Sequence, residues 1–160
     1  MELYHGSTER VESPEIRIPN RTLDYGAGFY LTSSYEQAES WVRRKFKGNI
    51  VRGWLNVYDY NPDAETELSV LSFDKPDERW LDFVMENRMN KDFNHSYDIV
   101  KGPVADDRVY ASFALYEAGI LGKDALISEL KAYKLVNQTL LHSEASLKTI
   151  SFIKAEEILK

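Results

Sequence analysis

Along the 160 residues the side-chain periodicity switches repeatedly between that of a strand and that of a helix, yet never in the strict alternation that a parallel βαβ array requires. Short strands and helices come in runs, a pattern that builds an α+β fold. Residues 2–5 (ELYH) read as a strand. Pro14 and Pro19 punctuate the next stretch, and the glycine turn DYGAG (24–28) leads into a strand at Phe29–Thr32. From Ser34 the spacing of Tyr35, Ala38, Trp41 and Val42 predicts a helix that Gly48-Asn49 stops. NIVRGWLNVYDY (49–60) alternates as a strand, with Gly53 read as a bulge. Further strands are expected at 68–73, at Tyr97–Val100, across YKLVNQTLLHS and within TISFIKAEEILK, the last ending in a turn. Helices are expected from Asp74 and Pro76 with Trp80, Phe83, Val84 and Asn87 on one face, over RVYASFALYEAG up to Gly119, near Asp124, and briefly after a cap at Ser143. No repeat or low-complexity linker interrupts the chain, so residues 1–160 read as one domain.

Composition removes several function classes. The chain has no cysteine, which excludes disulfides, thiolate nucleophiles and thiolate metal sites together and allows a reducing compartment. It contains no run of about 18 apolar residues, and MELYHGSTERVESP has neither a basic nor an apolar leader region. A soluble cytoplasmic protein with no membrane partner is the expectation. A net charge of −6 disfavours a generic binder of phosphate backbones. Arg43, Arg44, Lys45, Lys47 and Arg52 nevertheless form a local basic patch, either a solvated helix face or a place for a pyrophosphate or an RNA strand. His5, His95 and His142 lack zinc-ligand spacing, so no metal is expected. No GxSxG elbow is present, and the abundant carboxylates give no informative pair.

Three segments carry a positive signal. LYHGS (3–7), GFYLT (28–32) followed by a helix, and VNQTLL (136–141) resemble the three motif strands of the ADP-ribosyltransferase fold, in the histidine-tyrosine class of diphtheria toxin and the poly(ADP-ribose) polymerases. Together with WLDFV, YDIVKGPVADD and NQTLLHSEASL, they resemble a bacterial family of uncharacterised domains of that clan, from Leu3 to about Phe152. The resemblance implies an α+β fold of split, mainly antiparallel β-sheets with flanking helices and a central NAD-binding cleft. It also implies NAD⁺ as substrate, with His5, Tyr30 and Gln138 as the catalytic positions. His5 would contact the adenosine-side ribose, and Gly6 would offer its backbone to the nicotinamide amide. Tyr30, with Thr32 beside it, would stack on the nicotinamide ring, and Trp41 would cover the other face. Arg21 or Arg17 would pair with the pyrophosphate. Asp106 or Asp107 would either activate the acceptor or cap a helix. Gln138 stands where the clan usually has glutamate; it keeps a hydrogen bond to the ribose and loses the charge, which favours mono-ADP-ribosylation over polymer synthesis. The implied function is transfer of ADP-ribose to a macromolecular acceptor, protein or nucleic acid, as the toxin of a toxin–antitoxin or phage-defence pair with a cognate antitoxin. An NAD⁺ glycohydrolase and a non-catalytic nucleotide- or protein-binding module are the alternatives.

The residues read the same way chemically. Nicotinamide leaves through an oxocarbenium-like transition state, so a site must hold the ring between aromatics, fix the ribose and exclude stray water. His5 can donate to a ribose hydroxyl, and Gly26 and Gly28 would bend the chain into Tyr30 while leaving the backbone bare where the dinucleotide passes. Taken singly, Trp41 reads as core and His5 as a satisfied strand histidine; only the joint pattern raises them.

Overall fold

A computed structural model of the chain describes residues 1–105, 110–133 and 135–160. The elements are β1 (Glu2–Ser7), β2 (Phe29–Thr32), α1 (Tyr35–Arg43), β3 (Arg52–Tyr60), β4 (Val70–Ser72), α2 (Glu78–Met89), β5 (Ile99–Pro103), α3 (Tyr110–Glu117), α4 (Lys123–Ala132), β6 (Asn137–Leu141) and β7 (Ile150–Leu159). Helix starts follow local chemistry. Ser34 Oγ accepts from the Gln37 amide at 3.1 Å to open α1, and Asp77 Oδ1 accepts from the Trp80 amide at 3.0 Å to open α2. Ser143 opens a 3₁₀ turn over Ala145–Thr149 in the same way.

The strands form one seven-stranded sheet in the order β4-β5-β6-β2-β1-β3-β7, antiparallel except for the β4–β5 pair. This corrects the expectation of two separate sheets. The sheet is mixed and continuous, although its β1–β2 junction is narrow: Tyr4↔Thr32 is the single register pair there. Side-chain alternation assigns a core to each face. Tyr30 and Leu140 join the cluster built by Trp80, Val84, Phe113 and Leu126 from the helices, whereas Phe29 and Leu141 join Leu3, Tyr58 and Tyr60. Helix α1 packs separately, with Ala38 and Val42 against Leu55, Val57 and Ile158.

Local expectations change at several places: α2 begins at Glu78 behind an Asp77 cap rather than at Asp74 and Pro76, and β5 runs over Ile99–Pro103 rather than Tyr97–Val100. Gly53 sits in regular register with Ile158, and the β3 irregularity falls between Val57 and Tyr58. What position 53 requires is a missing side chain, because a Cβ there would lie 2.4 Å from Val42 Cγ1. The terminal turn is absent because β7 keeps its pairing with β3 as far as Leu159↔Arg52. Among the described residues, no helix is long and apolar enough to cross a membrane.

Candidate functional site

The sheet order places β6, β2 and β1 side by side, so the three motif strands are neighbours. A cleft of about 690 Å³ opens over them, and His5, Gly6, Tyr30, Trp41 and Gln138 all line it.

His5 occupies the place where the sheet narrows. Past Tyr4↔Thr32 the β1–β2 ladder stops, and the His5 Nδ1–H takes up the Tyr30 carbonyl at 2.7 Å, a side chain standing in for a ladder bond. Its ring stacks on Phe29 at 4.1 Å. Burial pushes its pKa down to about 4, against the raising effect of that bond. The ring is therefore neutral at neutral pH, with Nδ1 as donor and Nε2 as acceptor. This corrects the expected donation to a ribose hydroxyl: His5 Nε2 can only accept from one.

A pH dependence of folding follows. The unfolded chain protonates His5 near its ordinary value of 6.5, and the folded chain only near 4. The stabilisation is complete above pH 6.5 and is lost as pH falls from there towards 4, on the order of 3 kcal/mol in all. Burial also lowers His95, which adds to the same slope. Urea unfolding at pH 7.5 and 5 should show the loss, and His5→Asn should reduce it. An unchanged slope in that variant would show that the ring is not held neutral.

Tyr30 offers a ring and little else. Its hydroxyl donates to the Gly26 carbonyl at 2.6 Å and accepts from the Tyr25 amide at 3.0 Å. Gly26 and Gly28 have the positive φ values, 89° and 147°, that the turn requires. They do not leave bare backbone for a ligand. A Cβ at Gly26 would meet Asn87 Oδ1 at 3.1 Å, and one at Gly28 would meet the Leu141 carbonyl at 2.4 Å. Both glycines serve the packing of the turn against α2 and β6.

The other predicted positions divide. Gly6 lies directly under α1, with a notional Cβ 2.2 Å from the Ala38 carbonyl, and this close approach carries Trp41 to the cleft. Gln138 is 5% exposed, and its Nε2 donates to the Pro103 carbonyl at 3.5 Å. Thr32 does not line the cleft. It is fully buried, its hydroxyl donating to the Asn137 carbonyl at 3.0 Å and accepting from the Ser34 amide at 3.1 Å, so it is committed to the strand-to-helix corner. Asp106 and Asp107 lie outside the described residues.

The basic patch splits. Arg43 pairs with Glu39 and Arg52 with Glu157, whereas Arg44, Lys45 and Lys47 line the cleft with Arg21. Arg17 is held by Glu9 and Glu15 instead. Burial, and then the nearby Arg21, push Lys45 below the usual lysine range. Two like charges are thus crowded in a partly desolvated place, which an arriving anion would relieve. Asp24, the one carboxylate lining the cleft among the described residues, is taken by Arg88 at 3.1 Å, and Arg88 also binds Glu117 at 2.9 Å. The tilted rings of His95 and His142 lie 4.1 Å apart, and their nitrogens approach the carbonyls of Tyr25, Ala27 and His95. Their role is to hold the glycine turn.

The family profile described as "protein of unknown function (DUF3990)" matches residues 1–152. The chain belongs to this family. A comparison with curated proteins found no match. Membership in the DUF3990 family carries no activity with it, which leaves function to the chemistry of the cleft.

Proposed function

We propose that the protein is an NAD⁺-dependent mono-ADP-ribosyltransferase acting on a macromolecular acceptor. One observation carries the reading. A chain of net charge −6 gathers five cationic side chains, Arg21, Arg44, Lys45, Lys47 and Arg88, around a cleft that also holds His5, Tyr30, Trp41 and Gln138. Such segregation repels extended polyanions from most of the surface and focuses a small anionic ligand into the cleft. A dinucleotide fits that description: Arg21 and Lys45 meet its pyrophosphate, the rings of Tyr30 and Trp41 serve the nicotinamide, and His5 Nε2 and the Gln138 amide oxygen accept from ribose hydroxyls. In the reaction the bond from ribose C1′ to the nicotinamide nitrogen breaks, and its electron pair leaves with neutral nicotinamide. The acceptor's nucleophile bonds to C1′ and gives up its proton. The toxin role and the antitoxin partner belong to the same proposal, on the strength of the resemblance.

Incubation with adenylate-labelled NAD⁺ and a cell lysate, followed by separate protease and nuclease digestion, tests the reading. Label retained on a macromolecule supports it. Nicotinamide release without label transfer indicates a glycohydrolase, and intact, unbound NAD⁺ overturns both. Two substitutions refine the ligand's place. Tyr30→Ala should weaken NAD⁺ binding by about 1 kcal/mol of lost stacking, whereas Tyr30→Phe, which keeps the ring, should not. Arg21→Glu should reduce affinity about tenfold at low salt and less at high salt, as expected for a charge facing a phosphate. Calorimetry on the folded variants decides both.

A further inference from the structure

Beside the Gln138 side chain stands Tyr25, a residue that does not line the cleft. Tyr25 is fully buried, and its hydroxyl accepts from Trp80 Nε1 at 2.8 Å and donates to the Pro103 carbonyl at 2.9 Å. The Gln138 Nε2 donates to the same Pro103 carbonyl at 3.5 Å, so the two side chains share one acceptor. The backbone of Tyr25 meanwhile donates to the Tyr30 hydroxyl and accepts from His95 Nε2. One residue therefore ties both Tyr30 and Gln138 to α2, β5 and the loop that carries His95. Space is closed around it, since a Cβ at Gly102, the register partner of Gln138, would lie 2.5 Å from the Tyr25 hydroxyl.

We infer that Tyr25 is a positioning residue that fixes the Gln138 amide through the Pro103 carbonyl they share, with its NH₂ towards that carbonyl and its oxygen free to accept from a ligand hydroxyl. An amide is nearly symmetric in shape, so packing alone would not choose between its two orientations. A carbonyl beside one end does choose, because it repels the amide oxygen and accepts from the NH₂. Tyr25 donates to that same carbonyl at 2.9 Å and holds it in place.

The inference rests on the proposed reaction for its kinetic effect but not for its structural one. Tyr25→Phe keeps the ring and removes the hydroxyl. Tyr58→Phe is a matched control, since Tyr58 is also fully buried and its hydroxyl donates to the Val11 carbonyl at 2.6 Å in the core on the other face of the sheet. Both variants should lose comparable thermal stability. Only Tyr25→Phe should lower kcat for nicotinamide release, about tenfold, with KM for NAD⁺ within about twofold. In amide-resolved NMR, the Gln138 side-chain NH₂ should exchange with solvent faster in Tyr25→Phe than in Tyr58→Phe. Equal kinetics in the two variants would overturn the role in turnover. If the wild type releases no nicotinamide, the proposed reaction fails on its own, and the exchange comparison still decides: equal NH₂ exchange would show that Tyr25 does not orient Gln138.

Discussion

With alanine at position 138, nicotinamide release from NAD⁺ is expected to fall by about 10²–10³-fold, the range seen when one well-placed polar stabiliser is removed from a reacting centre. Gln138 occupies the second position of β6, pairs with Thr32 on one side and Gly102 on the other, and is almost wholly buried beside the cleft. In the proposed reaction its oxygen would accept from the ribose 2′-hydroxyl. Gln138→Glu tests the chemistry more sharply. A carboxylate would bring negative charge to the developing oxocarbenium, but it would stand where the NH₂ now meets the Pro103 carbonyl. Burial and that carbonyl both favour the protonated acid, so its pKa should be raised. The variant is therefore expected to be slow at low pH and to speed up as pH rises, giving its pH–rate profile an ascending limb that wild type lacks. Equal rates in wild type, Gln138→Ala and Gln138→Glu would show that Gln138 is a structural strand residue.

Gly6→Ala should damage stability and binding together. The added Cβ would lie 2.2 Å from the Ala38 carbonyl, a backbone atom of α1 that cannot rotate away. Either α1 lifts from β1 or the strand bends, at a cost of about 3 kcal/mol, the upper part of the range for overpacked sites. Lifting α1 also moves Trp41 and the Lys45 that follows it, so NAD⁺ affinity should fall in whatever protein remains folded. Gly48→Ala is the comparison. No atom lies within 4 Å of its notional Cβ, and its φ of 59° should cost only about 1 kcal/mol. Urea denaturation and calorimetry of both variants measure the contrast, and equal destabilisation would show that α1 does not depend on the missing side chain at Gly6.

The elements were largely legible because their signals are local. Helical spacing begins after Ser34 and a capped 3₁₀ turn follows Ser143 as expected, the strand at Phe29–Thr32 has the expected bounds, and Gly119, with φ of 78°, follows α3 as a helix terminator should. The candidate site was partly legible for a different reason. A resemblance names positions in chain order, and the cleft brings His5, Gly6, Arg21, Tyr30, Trp41 and Gln138 to one place. Thr32 fails that test because its neighbour relations were read along the strand, while its hydroxyl is used across the sheet by Asn137. Gly53 looked like a bulge for a similar reason: a glycine required by the approach of Val42 from another element is indistinguishable in sequence from one required by backbone conformation.

By itself the sequence determined the α+β fold class, most of the strands and helices, and the cap that starts the 3₁₀ turn at Ala145–Thr149. Each rests on periodicity or on bonds spanning a few residues. Tertiary structure alone decided that the strands join in one sheet, that Arg44 and Lys45 turn into the cleft while Arg43 turns to Glu39, and that His5 is a neutral acceptor. It also decided that Tyr25 bonds Tyr30 through its backbone and shares the Pro103 carbonyl with Gln138. Those outcomes depend on which surfaces meet after the chain has closed on itself. Pairing between distant strands and the desolvation of a buried ring are set by groups far apart in sequence, and no local pattern encodes them.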